Sequence, residues 1–254
     1  MPPKRVLADA NISGKEWATF RGFCLAFVGL FALFTVTWLW LYSPWDYGAL
    51  VGLTFWGLLP CYVSNAGMVL TGRVKGLPRY PIDGGRVWRD GKRLLGEGKT
   101  WNGLVGGLLL GFFVAVVTYP FTAWVSDVAR ASFSDVNADG RPTMLKLFDL
   151  DLVLQFVSAG NDFHAFAGRA FLLALGAPLG DALGSFVKRR FSKKDGGQFL
   201  FLDQLDFVLF SALLTWPLMP LPWYAILFVC LFTPLLTVLA NLIAYYSGKK
   251  PYPW

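Results

Sequence analysis

Residues 104–125 read LVGGLLLGFFVAVVTYPFTAWV, twenty-two positions without a charged side chain. A helix of that length spans about 33 Å, enough to cross the roughly 30 Å hydrocarbon core of a bilayer. Inside that core each backbone N–H and C=O must find its partner within the protein, so a stretch this apolar is expected to be helical. Four further blocks share its character, at 22–41, 48–70, 166–187 and 223–246. A sixth, 206–220, is shorter and closes on Pro217 and Pro220, as a short or tilted span would. The expected fold is all-α, a polytopic integral membrane protein. Composition agrees: 55% of the 254 residues are hydrophobic and 15% charged, against roughly 45–50% and 25% in soluble domains. The apolar residues come in unbroken blocks, which excludes disorder and the alternating pattern of an outer-membrane barrel. Lys4, Arg5, Lys15 and Arg21 precede the first block, whose length favours an uncleaved anchor over a secretory signal. Cys24, Cys61 and Cys230 lie within apolar blocks without metal-ligand spacing and read as small buried hydrophobes.

The net charge of +7 raises the question of nucleic acid, which would require the basic residues on one solvated face. Instead, 19 of the 23 Lys and Arg fall in segments 1–21, 71–103, 188–205 and 247–254, all on one side of a six-span bundle. Segments 42–47, 126–165 and the turn near 221 hold only Arg130, Arg141 and Lys146, with seven acids. Cytoplasmic loops carry the basic excess. Both termini and the loops 71–103 and 188–205 are therefore expected in the cytoplasm, with membrane lipids and no nucleic acid as partners. Trp38, Trp40, Trp45, Tyr119, Trp124, Trp216 and Trp223 then fall near the outer interface. The outer loop 126–165 carries a turn at 137–142 and a segment, Met144–Val157, that suits a surface amphipathic helix. His164, the single histidine, reads as solvated or interfacial.

Polar groups inside spans are costly and mark functional sites. Asn65, Asp181 and Asn241 each lie five or six residues from the cytoplasmic end of a span, and Asp206 opens one from the same side. Unrelated interhelical hydrogen bonds would also explain them, although four such groups at one depth suggest a site. Gly176, Gly180 and Gly184 recur every four residues, a groove for a second helix. Asp181, Ser185 and Lys188 share one face leading into KRRFSKKD at 188–195. Asp203 and Asp206, three apart at a helix start, can direct two carboxylates to one place. Carboxylates beside Lys and Arg suit magnesium held against polyphosphate; a salt-bridged interfacial loop is the plainer alternative. In the loop 71–103, Gly98-Lys99-Thr100 invites comparison with a P-loop, but Arg93 stands where its first glycine belongs and no strand precedes it. What remains is a glycine-rich turn with cations, able to meet phosphates as the chain enters the next helix; binding of anionic headgroups accounts for the charge but not for the glycines.

The run from Ser185 through Lys188, Asp195, Asp203 and Asp206 resembles the signature of the CDP-diacylglycerol synthase family of membrane cytidylyltransferases, with Gln204 where that family usually has Arg and without its His-Gly-Gly. The archaeal branch fits better. PCYVSNA (60–66), RDGKRLLGEGKTW (89–101), GDALGSFVKRR (180–190), LDQLDF (202–207) and NLIAY (241–245) are similar to CDP-archaeol synthases across residues 48–246. The resemblance implies five core transmembrane helices in a cytidylyltransferase domain at 48–254, with 1–47 as a tail and an additional span. It implies transfer of the cytidylyl group of CTP to an isoprenoid ether lipid phosphate, 2,3-bis-O-geranylgeranyl-glycerol 1-phosphate, with Mg2+ as cofactor and release of pyrophosphate. Asp181, Asp203 and Asp206 would bind the metal, Lys188 would act beside Asp203 and Asp206 in catalysis, and Arg89, Arg93, Lys99 and Arg189 would hold phosphates. Asn65 and Asn241 would orient nucleotide or headgroup. The site is expected on the cytoplasmic side of the cell membrane. Phosphatidic acid as the lipid substrate would need the same chemistry. A lipid-binding scaffold or a small transporter of an anionic solute would also use these polar groups, but a transport path needs polar residues further out, where the spans are almost wholly apolar.

Overall fold

The computed structural model describes residues 12–72, 74, 78–134, 155, 158, 162–191, 201–218, 221–248 and 252–253. Seven α-helices are found among them: α1 (Gly14–Leu41), α2 (Pro44–Thr71), α3 (Trp101–Thr118), α4 (Thr122–Ser134), α5 (Phe163–Arg190), α6 (Leu202–Thr215) and α7 (Trp223–Tyr246). Five stretches are long and apolar enough to cross a membrane, namely α1, α2, Trp101–Val128, α5 and α7. The expected all-helical membrane architecture is what the chain adopts.

α1, α2, α3 and α5 start before their apolar blocks because polar caps, not hydrophobicity, decide where they begin. Ser13 and Glu16 form a capping box on α1, as do Ser43 and Asp46 on α2, each pair satisfying otherwise orphan N–H groups. Thr100 caps α3 by accepting from Gly103 N–H at 3.2 Å, and Asp162 caps α5 by accepting from His164 N–H at 2.8 Å. His164 thus sits in the first turn of α5, exposed. At Pro120 the third span tightens into a 3-10 turn, Tyr119–Phe121, since proline brings no N–H to the ladder, and α4 carries on to Ser134. The segment expected as an outer loop from 126 therefore begins as helix. Met144–Val157 lies, except for Gln155, outside the described residues. The block expected as a short sixth span is the helix Leu202–Thr215, which starts four residues earlier than the apolar stretch and is not among the five long enough to cross. Its 14 residues rise about 21 Å. Asp203 suits its first turn, where a negative charge meets the helix dipole.

Small residues set the packing. A Cβ on Gly176 would collide with Ser211, and one on Gly180 or Gly184 with Asp206, so α6 lies directly in the expected glycine groove of α5. A second ladder, Gly103, Gly107 and Gly111, does the same for α3 against α2, where Pro60, Ser64 and Met68 fill the space. Ser64 Oγ donates to the Ala174 carbonyl at 2.7 Å and Ser211 Oγ to the Leu173 carbonyl at 2.9 Å, joining α2 and α6 to α5. α1 runs antiparallel to α7: Trp17 meets Tyr245 edge-on at 6.2 Å, and Phe31 and Phe34 both reach Phe228. Trp38 is buried against Phe34 and Tyr42, whereas Trp40, Trp45, Trp124, Trp216 and Trp223 are exposed. Cys61 is fully buried and all three cysteines are free thiols. This packing brings the C-terminal ends of α2, α5 and α7 and the N-terminal ends of α1, α3 and α6 to one end of the bundle.

Candidate active site

That end is closed by the connection between α2 and α3, which is built around one carboxylate. Asp83 Oδ1 accepts from Gly85 N–H at 3.0 Å, and its Oδ2 accepts from Leu95 and Gly96 N–H, both at 3.1 Å. Arg93 lays its guanidinium across both oxygens, Nε at 3.1 Å and Nη2 at 3.2 Å. Burial alone would raise this carboxyl, but Arg93 and the three N–H groups hold it well below the usual carboxylate range. Antiparallel bridges pair Pro81 with Thr100 and Val87 with Arg93. Gly91 (φ 74°) turns the small hairpin between them.

The basic end of α5 fastens the loop from the other side. Arg190 donates to Asp90 at 2.7 Å and to the Arg93 carbonyl at 2.7 Å, and its guanidinium lies 4.8 Å from the Phe186 ring centroid. Lys92 Nζ returns a bond to the Arg190 carbonyl at 3.1 Å, and Arg189 Nε donates to the Leu95 carbonyl at 3.1 Å. In this structure Arg93 and Arg189, expected at phosphates, thus brace the loop. Arg89 is exposed on the hairpin.

Asp83→Asn is expected to unlatch the loop at a cost of about 3 kcal/mol, the size found when one member of a buried pair is removed. Hydrogen exchange at the amides of Gly85, Leu95 and Gly96 would report it; protection as strong as in the unaltered protein would contradict the role. The pH dependence follows from the depressed carboxyl. Its stabilisation is fully present above the unfolded value, about 4, and is lost only as pH falls below that toward the folded value. Protection in the unaltered protein should therefore hold down to about pH 4 and fail in more acidic solution.

Beneath the loop lies a cavity of about 380 Å3 lined by Asn65, Met68, Val69, Gly72, Arg79, Glu97, Gly98, Lys99, Thr100 and Asp181. Lys99 enters from the loop and places Nζ 2.6 Å from Asp181 Oδ1 and 2.5 Å from Oδ2. A second pair stands nearby, Lys188 Nζ on Asp203 Oδ2 at 2.6 Å. Asp206 packs against Gly184 and accepts from Phe207 N–H at 2.7 Å. Asn65, Lys99 and Asp181 therefore meet in one cavity, and Asp203, Asp206 and Lys188 gather at the α5–α6 contact. Asp203 and Asp206 face different partners, and Asn241 is not part of the cavity lining. Among the described residues no three His, Cys, Asp or Glu side chains converge as a complete metal cage. The carboxylates present are hard oxygen donors, and Asp181 already holds a cation, the Lys99 ammonium. That suits a magnesium ion taking one or two carboxylates and filling its shell with phosphate and water. Asp83 and Arg79 are not singled out by the sequence reading, although Asp83-Gly-Gly is an Asx-turn signature that marks the first of them.

The family model for CarS-like CDP-archaeol synthases matches residues 48–139 and 144–254. The chain belongs to the CDP-archaeol synthase family. The CDP-archaeol synthase of Thermococcus kodakarensis is 37% identical over 200 residues, covering 79% of this chain and 94% of that protein. The CDP-archaeol synthase of Halorubrum lacusprofundi is also 37% identical, over 214 residues, covering 82% and 99%. A solved intramembrane enzyme of archaeal membrane-lipid biosynthesis is 29% identical with a TM-score of 0.49, covering 74% of this chain and 92% of the other. Membership makes the protein a multi-pass membrane nucleotidyltransferase of ether-lipid biosynthesis, and the five quoted motifs all fall within the matched residues.

Proposed function

We propose that the protein transfers the cytidylyl group of CTP to 2,3-bis-O-geranylgeranyl-glycerol 1-phosphate, giving CDP-archaeol and pyrophosphate at the cytoplasmic face of the cell membrane. The observation that carries this is Lys99 facing Asp181 in a polar cavity at one end of an apolar bundle, with Asn65 beside them. A soluble triphosphate can enter such a cavity while lipid tails stay between the helices. In the reaction a lipid phosphate oxygen attacks the α-phosphorus of CTP. The bond from that phosphorus to the β-phosphate oxygen breaks in line, and its electron pair leaves with pyrophosphate. No enzyme nucleophile is needed; orientation and charge neutralisation supply the acceleration. Lys99 and Lys188 would hold phosphates, with Arg79 at the cavity wall, and Asn65 would orient the nucleotide. Asp181, Asp203 and Asp206 would supply the carboxylates for magnesium. Bound there, magnesium would neutralise the charge developing on the transferring and leaving phosphates.

Given equal amounts of the ether lipid phosphate and phosphatidic acid with CTP and magnesium, the purified protein is expected to convert the ether lipid at least about tenfold faster, the discrimination that small pocket differences supply. Faster conversion of phosphatidic acid would assign the ester lipid instead.

A further inference from the structure

The ion pairs at this end of the bundle are of two kinds. Arg93 and Asp83 form a forked pair in which the carboxylate is fully buried and further held by three N–H groups. Such a pair is fixed in place. Lys99–Asp181 and Lys188–Asp203 are different: each uses the single point charge of a lysine, and the four side chains keep 16–28% of their surface exposed. A flexible ammonium gives up one oxygen partner for another more readily than a guanidinium fork does. In both of these pairs the carboxylate is a candidate metal ligand and the ammonium a candidate phosphate ligand.

We propose that Lys99 and Lys188 are exchangeable counter-ions, each occupying in the ligand-free protein the carboxylate that a divalent cation takes when nucleotide is bound. This rests on the cytidylyltransferase proposal for the partner to which the lysines move, the triphosphate. A divalent ion arriving alone meets carboxylates already neutralised, and it must drive two ammonium groups into positions without an anion. A divalent ion arriving with a triphosphate brings new anionic partners for both lysines. Metal and nucleotide binding are thereby interdependent, and each must strengthen the other by the same factor. The lysines act through the carboxylates as positioning residues before they touch substrate.

The test is Mn2+ alone, titrated into the purified full-length protein in detergent and read by the electron paramagnetic resonance of the free ion. Lys99→Met and Lys188→Met are expected to bind Mn2+ about tenfold or more tightly than the unaltered protein, the effect one contacting charge has on a neighbouring carboxylate. Adding Asp181→Asn to Lys99→Met is expected to abolish that gain. Unchanged or weaker Mn2+ binding in both lysine variants overturns the proposal, as does a gain that survives loss of the Asp181 carboxylate. Lys99→Gln and Lys188→Gln remove the same charge and serve if either Met variant fails to unfold cooperatively. No nucleotide or lipid is present, so the two ideas fail separately. The Mn2+ gain without CTP turnover leaves the exchange standing and removes the cytidylyltransferase proposal. Turnover without the gain does the reverse.

Discussion

Asp181→Asn is expected to lower cytidylyl transfer by about a thousandfold or more while leaving the fold intact, as loss of a key electrostatic group does in other enzymes. Asp181 is the cavity's carboxylate from α5, paired with Lys99 across 82 positions of chain and open to solvent over about a quarter of its side chain. Partial exposure means that its structural contribution is small, within about 1 kcal/mol for an open ion pair. Its functional contribution is large because neither Asn65 nor Lys99 can replace a negative charge. Initial rates of CDP-lipid formation measured beside thermal unfolding separate the two. A fall of tenfold or less with unchanged stability would show that the carboxylate is not part of the machinery.

The second large effect concerns the α5–α6 contact. Asp203→Asn and Asp206→Asn are each expected to reduce turnover by a factor of about 10² to 10³. Asp203 loses the charge that meets Lys188, and Asp206 sits where the glycine groove lets its carboxylate pass between the helices. If all three aspartates serve one bound ion, their losses will not add: the Asp181, Asp203 double variant should be little worse than the poorer single one. Steady-state rates at saturating CTP measure this. Near-normal rates in both single variants would remove these residues from the magnesium assignment.

Much of this was legible in the sequence because it rests on local rules. Long apolar blocks mark the five spans, and the four-residue glycine spacing of α5 correctly predicts close approach by another helix. Asn65 and Asp181 were recognisable as polar groups at one depth, and they share the cavity. The helix starts at Gly14 and Pro44 lay in view as Ser13 with Glu16 and Ser43 with Asp46, but hydropathy is blind to caps. What stayed hidden depends on contacts across the chain. The charge excess at 188–190 marked a side of the membrane, yet it could not show that Arg190 holds the hairpin carbonyls or that Arg189 reaches Leu95. The glycine-rich loop 71–103 suggests N–H groups for phosphate, whereas its Gly85 and Gly96 direct theirs to Asp83. One sequence shows which residues are charged; pairing them requires the fold.

The central claim is that this cavity joins CTP to an ether lipid phosphate. It is tested most directly by incubating the purified protein in detergent with labelled CTP, magnesium and 2,3-bis-O-geranylgeranyl-glycerol 1-phosphate, and following lipid-extractable label and pyrophosphate together. The expected result is CDP-archaeol and pyrophosphate in equal amounts, dependent on the lipid phosphate. CTP left intact, with neither product formed by a protein that still unfolds cooperatively, would contradict it.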